Sequence, residues 1–192
     1  MSGIVRTASK LPSAASSTAM HDRAVSLGRH LRAILLLPVS VALVVPAVIV
    51  WWTGEVSIGW GLPDGLAWLP VALGLVLVGL GLALVFSTVR LFVTVGQGTL
   101  APWDPTSRLV VRGPYRHVRN PMISGVACVL AGEAVVLGLL PLLLWLAAFV
   151  VVNAVYLPLV EEPGLRRRFG DDYDAYRANV PRWIPRLRAW DR

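Results

Sequence analysis

Apolar residues in this chain do not alternate with polar ones; they come in long blocks, and most charged residues fall in the gaps. A helix of about 17–25 residues crosses the ~30 Å hydrocarbon core of a bilayer. Four blocks reach or exceed that length: 31–53, 66–95, 121–137 and 141–160. The first contains Pro38 and Pro46, which bend a membrane helix without excluding it. It ends in Trp51 and Trp52, whose amphipathic rings settle at the membrane–water boundary. The second carries Gly74, Gly79 and Gly81, a small-residue region for close helix contact, and Arg90, whose apolar stem can lift its charge to the surface. The third and fourth are separated only by residues 138–140, so they form a hairpin. The pattern predicts an all-α integral membrane protein of about four transmembrane helices, with a C-terminal helical hairpin over 121–160 and an amphipathic segment after it.

Composition agrees. Hydrophobic residues make up 56% of 192 residues and charged residues 15%, against roughly 25% charged in an average soluble domain. That much apolar sequence in a chain this short is too much for one water-soluble core. A single cysteine, Cys128, excludes a disulfide-stapled secreted domain.

The net charge of +7 takes its meaning from where the cations lie. Of 18 cationic residues all but Lys10 are arginine, a skew that, with the abundance of Ala, Val, Gly and Leu, points to a GC-rich bacterial genome. Apart from Arg32 and Arg90, near the ends of the first two blocks, they fall before the first block, between the second and third (Arg108, Arg112, Arg116, Arg119), and in the tail from Arg166 onward. The segment 54–65 has no cation, only Glu55 and Asp64, and the hairpin turn has none. Cytoplasmic segments carry the Lys/Arg excess, so both termini and the central loop are expected on the cytoplasmic side, in a bacterial inner membrane. This distribution explains the high basicity without nucleic acid as a partner. Residues 1–30, rich in Ser, Ala and Thr, read as a disordered cytoplasmic start and lack the features of a cleaved signal. The expected organisation is therefore 1–30 as that start, 31–95 as two transmembrane helices, and 96–192 as the catalytic region.

Two polar segments could carry chemistry. One is 96–120; the other begins at Glu161-Glu162 and runs to the end. Each adjoins one end of the hairpin, and a tight hairpin returns the chain, so Asn120 and Glu161 are expected close in space. A cationic loop, a histidine and paired carboxylates then converge at the inner membrane surface. Such a pocket suits an amphipathic ligand bearing both charge signs. The Gly96-Gln97-Gly98 pair has no preceding strand and no third glycine, so it is not a dinucleotide fingerprint. His21, His30 and His117 are scattered and Cys128 stands alone, so no metal site is expected. Within the blocks, Glu133 reads as a carboxylate snorkelling to the near surface, Asn153 as an interhelical hydrogen-bonding residue and Cys128 as packing. The two glutamates sit where a helix C-terminus would disfavour negative charge, which suggests a role for them.

The run GPYRHVRNPMISG from Gly113 to Gly125, a hydrophobic hairpin, Glu161-Glu162, then Phe169-Gly170-Asp171-Asp172-Tyr173-Asp174-Ala175-Tyr176 and Val180-Pro181 resembles the isoprenylcysteine carboxyl methyltransferase and phospholipid methyltransferase superfamily. The resemblance covers about residues 100–187. It implies S-adenosylmethionine as cofactor, walled by Leu109, Val110 and Tyr115. Asn120, Pro121 and Met122 would contact it from the motif, and Glu161 would bind its polar groups. Arg119 and Glu162 would support them, and Gly125 would let helices approach closely. The chain departs from the family pattern where Asn120 replaces the motif histidine, Ile123 replaces the motif tyrosine, and Leu157 replaces a substrate-binding arginine one turn before Glu161. The last change argues against a prenylcysteine carboxylate as substrate.

These features predict a membrane methyltransferase acting on a lipid-like or hydrophobic small molecule, at a carboxyl, amine, thiol or hydroxyl group. Methyl transfer from a sulfonium needs orientation and desolvation more than a protein nucleophile. An amine or phenol acceptor would also need a base, for which His117 and Glu161 are the candidates. Two other readings are an NADPH-dependent membrane reductase of the sterol-reductase type and a non-catalytic membrane scaffold or transporter.

Overall fold

The computed structural model describes residues 35–54, 56–91, 94 and 109–191. The expectations for residues 1–30, Glu55, the Gly96-Gln97-Gly98 pair and Arg108 lie outside them. The described residues are helical, with no strand. A wide, π-type helix Leu35–Val44 runs into α1, Val45–Thr53. Then come α2, Trp68–Leu91, and α3, Pro121–Leu137. The chain continues through α4, Leu140–Tyr156, a π-type turn Leu157–Glu161, α5, Glu162–Phe169, and α6, Asp171–Asn179.

Trp68–Leu91 and the continuous helical stretch Leu140–Phe169 are long and apolar enough to cross a membrane; Pro38–Thr53 and Pro121–Leu137 are apolar but shorter. A long apolar helix can also be the hidden core of a soluble protein. Here the two long helices are mostly uncovered, only 11% of the apolar window of the first and 6% of the second being buried. Phe86 is 71% exposed and Leu144 63%. Apolar surface of that extent on helices apolar all round belongs in lipid.

Glycine sets how α2 and α3 meet. Gly74 lies over the Gly132 carbonyl and Gly81 over the Gly125 carbonyl, so that a Cβ added at Gly74 or Gly81 would meet those oxygens at 2.7 and 2.5 Å. Gly125 and Gly132 face back in the same way. Within each helix the pair is seven residues apart, two turns, so both contacts fall on one stripe of an antiparallel crossing. Of the three α2 glycines read from the sequence, Gly79 has open space beside it and takes no part. It stands five residues after Gly74, about 140° around the helix from the stripe.

The first helix and α4 complete the bundle around α3. Val126, Val129 and Leu130 pack with Ala42, Val85, Trp145 and Phe149; Ala134 and Leu142 pack with Ile49 and Val50. Pro46 has no N–H to give to the preceding turn, and in lipid a bare carbonyl is costly. The Trp145 indole N–H reaches Val41 O at 3.1 Å, one of the carbonyls that turn leaves available. At the other end of α3, Gly138 takes φ +60° and a Cβ there would strike Ser57 O. Ser57 N–H and the Trp60 indole N–H cover the carbonyls of Leu137 and Val135. The segment 56–67 thus caps the hairpin turn.

Three expectations change. Asn153 donates to Phe149 O at 2.8 Å on its own helix, not to a neighbouring one. One carboxylate oxygen of Glu133 is buried among the described residues without a hydrogen-bond partner, so that oxygen does not reach the surface. The helix after the hairpin does not end at Val160. Pro158 is absorbed in the π-type turn, whose Glu162 N–H bonds to Leu157 O, and the helix continues into α5. Glu161 and Glu162 therefore do not face an exposed C-terminal dipole, and the penalty inferred from that position disappears.

The glycine stripe gives a paired test. Gly81→Leu should cost at least about 1–3 kcal/mol from overpacking and lower the unfolding temperature in detergent. Gly79→Leu should leave it within experimental scatter. Equal losses would mean that the stripe is not the contact.

Candidate functional site

Pro114 opens a 3-10 turn, Gly113–Arg116, and Pro121 starts α3. The residue before a proline is pushed out of the α region, and Asn120 accordingly sits at φ −123°, ψ 59°. Residues 117–120 are thereby held in a short non-helical link at the very end of the hairpin. Across from them α4 delivers Glu161 and Glu162, just past Val160, the last residue of the apolar run. The expected convergence is present: Arg119 Nη1 donates to Glu162 Oε1 at 2.9 Å.

Glu162 is the most enclosed charge of the site, 4% exposed. It also takes Arg182 Nε at 2.7 Å and stands 3.5 Å from Arg177 Nε. Burial works against its charge, but the hydrogen bond from Arg182 and the positive charges of Arg119, Arg182 and Arg177 outweigh it, holding the carboxyl below its ordinary value. Removing one partner from a buried pair leaves an uncompensated charge. Each member of this group therefore depends on the others.

Glu161 is different. Among the described residues its carboxylate has no ion pair. Burial pushes its pKa up, and negative Glu162 beside it adds to the shift. The Tyr115 phenol is raised well above its ordinary value by burial, then by Tyr176 and by Glu161, which places ring and carboxylate within electrostatic reach. The buried Arg119 Nε has no hydrogen-bond partner among the described residues. A carboxylate and a guanidinium N–H thus both keep unused capacity at this end of the hairpin.

The remaining residues named from the sequence divide. Tyr115 offers its carbonyl to the Tyr176 hydroxyl at 2.8 Å. Pro121 is buried, and Met122 half-buried. Asn120 Nδ2 approaches Arg182 O only at 3.5 Å, the long limit of such a bond. Leu109 packs against Tyr173, Tyr176 and Val180, and Val110 is buried. His117 Nδ1 lies 2.8 Å from Arg186 O. A carbonyl only accepts, so Nδ1 is the donor in that contact, and in the neutral ring Nε2 then keeps its lone pair.

Sequence reasoning missed the strap. Residues 180–191 fold back along the motif link: Arg119 N–H bonds to Pro181 O, Arg186 N–H to His117 O, and Trp190 N–H to Arg116 O. Arg116 returns a bond to Trp190 O and pairs with Asp191. Tyr173, Tyr176 and Val180 form the small core beneath it, joined by Leu165, Phe169 and Trp190. The spacing of Tyr173, Tyr176 and Val180 at i, i+3 and i+7 is a helical apolar stripe, and that signal was available. The partners of Arg177 and Arg182 were not, since many arginines of the tail look alike in one dimension.

Membrane-embedded helices whose paired carboxylates and arginine loop meet at one end of a hairpin define the class: a helical membrane protein with a charged site at the edge of its apolar region. Residues 69–172 match the model of the phospholipid methyltransferase family. That is more than half the chain, and the protein belongs to this family of membrane methyltransferases. The match begins in α2, so the second apolar block is part of the family core, and it stops before Tyr173. No curated protein and no solved structure matches the chain.

The glutamate–arginine group predicts a pH response. The folded pKa of Glu162 is depressed, so its contribution is complete above the ordinary carboxylate range and is lost as pH falls through the lower folded value. Amide exchange of 180–190, corrected for its intrinsic rate, should stay slow near about pH 7 and quicken below about pH 4. Glu162→Gln should quicken it already at neutral pH, by a loss of up to about 3 kcal/mol. Unchanged exchange in that variant would show that the strap is held by something else.

Proposed function

We propose that the protein is an S-adenosylmethionine-dependent methyltransferase whose site lies at the cytoplasmic end of the 121–160 hairpin. The observation that carries this is the division of labour between the two glutamates. Glu162 is neutralised by three arginines, whereas Glu161 is enclosed and has no cation among the described residues. The cofactor has an ammonium and ribose hydroxyls that such a carboxylate can take, and a carboxylate that the unused Arg119 N–H can meet. Tyr115 with Leu109 and Val110 supplies apolar wall, and Asn120, Pro121 and Met122 contact from the motif. When bound, S-adenosylmethionine supplies an electrophilic methyl group. The chain's own part is to orient it, exclude water and, for an amine or phenol, accept a proton at His117 Nε2 or Glu161. Burial raises the pKa of Glu161 and so makes it the stronger base.

The arginine distribution supports four spans with both termini and the site on the cytoplasmic face of a bacterial inner membrane. With Cys128→Ala as background, Asp64→Cys should react with an impermeant reagent from outside and Arg167→Cys only from inside. Labelling of both from one side would overturn this topology.

Leu157 is 1% exposed and brings no cation to span four, where desolvating an anionic acceptor would be costly. The acceptor is therefore neutral or weakly polar and enters from the lipid. The testing experiment is titration of the purified protein with S-adenosylhomocysteine, followed by turnover on farnesylated cysteine, amine, thiol and phenol acceptors. Glu161→Gln should weaken the cofactor product roughly ten- to a hundred-fold, the value of a charge-assisted hydrogen bond of ~1.5–3 kcal/mol. Unchanged affinity in the folded variant would put the cofactor elsewhere. Turnover of the farnesylated carboxylate alone would show that the reading of Leu157 is wrong.

A further inference from the structure

The strap has an inner and an outer edge. Inward, its backbone holds residues 116–119 and Arg182 holds Glu162. Outward stand Ile184, 80% exposed, and Leu187, 98% exposed. Arg188 is exposed beside Leu187, and Trp183 is half-buried beside Ile184. Two large aliphatic side chains left this bare, interleaved with arginine and next to tryptophan, are the composition of a segment that lies in a membrane interface.

Position agrees with composition. Arg182 O faces Asn120, the residue before α3, and the Arg182 side chain meets Glu162, two residues past the apolar run. Arg182 is therefore pinned at the edge of the hydrocarbon. Ile184 lies two Cα steps on, at most about 7.6 Å, and the headgroup layer is about 5–8 Å deep. Ile184, where the outer edge of the strap begins, therefore lies within about one headgroup layer of the hydrocarbon. It also lies beyond the matched family residues 69–172, so the match does not account for it.

We propose that Ile184, Leu187 and Arg188 seat the strap on the anionic phospholipid headgroups of the leaflet in which the hairpin is anchored, and that this seating keeps the 116–120 link in place. The aliphatic side chains enter the acyl boundary and the guanidinium meets lipid phosphate. The strap bonds to the backbone of the link on its other edge, so release from the lipid also frees Arg119, His117 and their neighbours. The effect on the cofactor site rests on the function proposed above; the seating itself does not.

The test uses the full-length protein in nanodiscs of phosphatidylcholine alone or mixed with phosphatidylglycerol. Amide exchange over 183–189 should be slower in the anionic discs by about tenfold or more, since each arginine near an anionic surface contributes on the order of one decade. Arg188→Gln removes only an exposed charge and should abolish the difference while leaving exchange in α2 and α3 unchanged, whereas Ile184→Ser with Leu187→Ser should quicken exchange in both lipids. Equal exchange in both lipids overturns the proposal. So does protection that appears only when soluble protein is added, which would make the edge a protein contact. S-adenosylhomocysteine titrated into the same discs separates the two readings. Tighter binding in the anionic discs, lost in Arg188→Gln, supports the coupling. No binding in either lipid overturns the cofactor reading, and the exchange result still decides the seating.

Discussion

A carboxylate buried where a membrane protein leaves the lipid is unstable unless cations close on it, and Glu162 draws its cations from three places in the chain. Arg119 comes from the link before α3, Arg177 from α6 and Arg182 from the strap. Satisfying that one charge folds the tail against the hairpin. The tyrosine core of Tyr173 and Tyr176 then has something to pack on, and the backbone bonds of the strap have a fixed partner. Glu161, one residue earlier, is enclosed by the same folding but receives none of the described cations. A carboxylate ringed by cations and one with no described cation thus arise from one adjacent pair.

The bundle below supplies rigidity. Glycine at 74, 81, 125 and 132 brings the α2 and α3 backbones into contact, so the start of α3 cannot drift relative to α2. The link 113–120 rises directly from that start, and Pro121 gives the helix a first turn that needs no amide donor. At the far end, Trp60 and Ser57 close the hairpin turn. The site consequently stands on a hairpin fixed at both ends, while the strap that completes it is held by one charge cluster and a few backbone bonds. The site thus joins a rigid base to a part held by few contacts, and elements of low local stability are where opening occurs.

Much of this was legible in one dimension. The apolar blocks, the placement of arginine and the short turn at 138–140 each depend on a local property, either the length of a helix in lipid or the side of the membrane a cation prefers. They sufficed for the helices, the hairpin and the meeting of the 112–122 segment with Glu161 and Glu162. The family resemblance singled out Arg119 and Glu162, and the two meet in an ion pair. Gly79 was misjudged although its five-residue spacing from Gly74 already sets it off the face that Gly74 and Gly81 share. Asn153 was misjudged because a mid-span amide can bond its own helix as well as a neighbour.

The structure alone decided which charges meet. Glu161 and Glu162 are chemically identical neighbours, and the sequence contains no reason for one to hold three arginines and the other none of the described ones. That follows from their directions on a helix that continues through a π-type turn, and from the path of a tail that returns 62 residues later to Asn120. The sequence by itself determined that this is a helical membrane protein with its cations gathered in the segments between and after the apolar blocks and a charged site at the hairpin's end, because hydropathy and charge act through the solvent, residue by residue. The tertiary fold determined the partner of each charge and the exposed edge of the strap, because pairing energy falls off within a few ångströms and only the folded chain sets those distances.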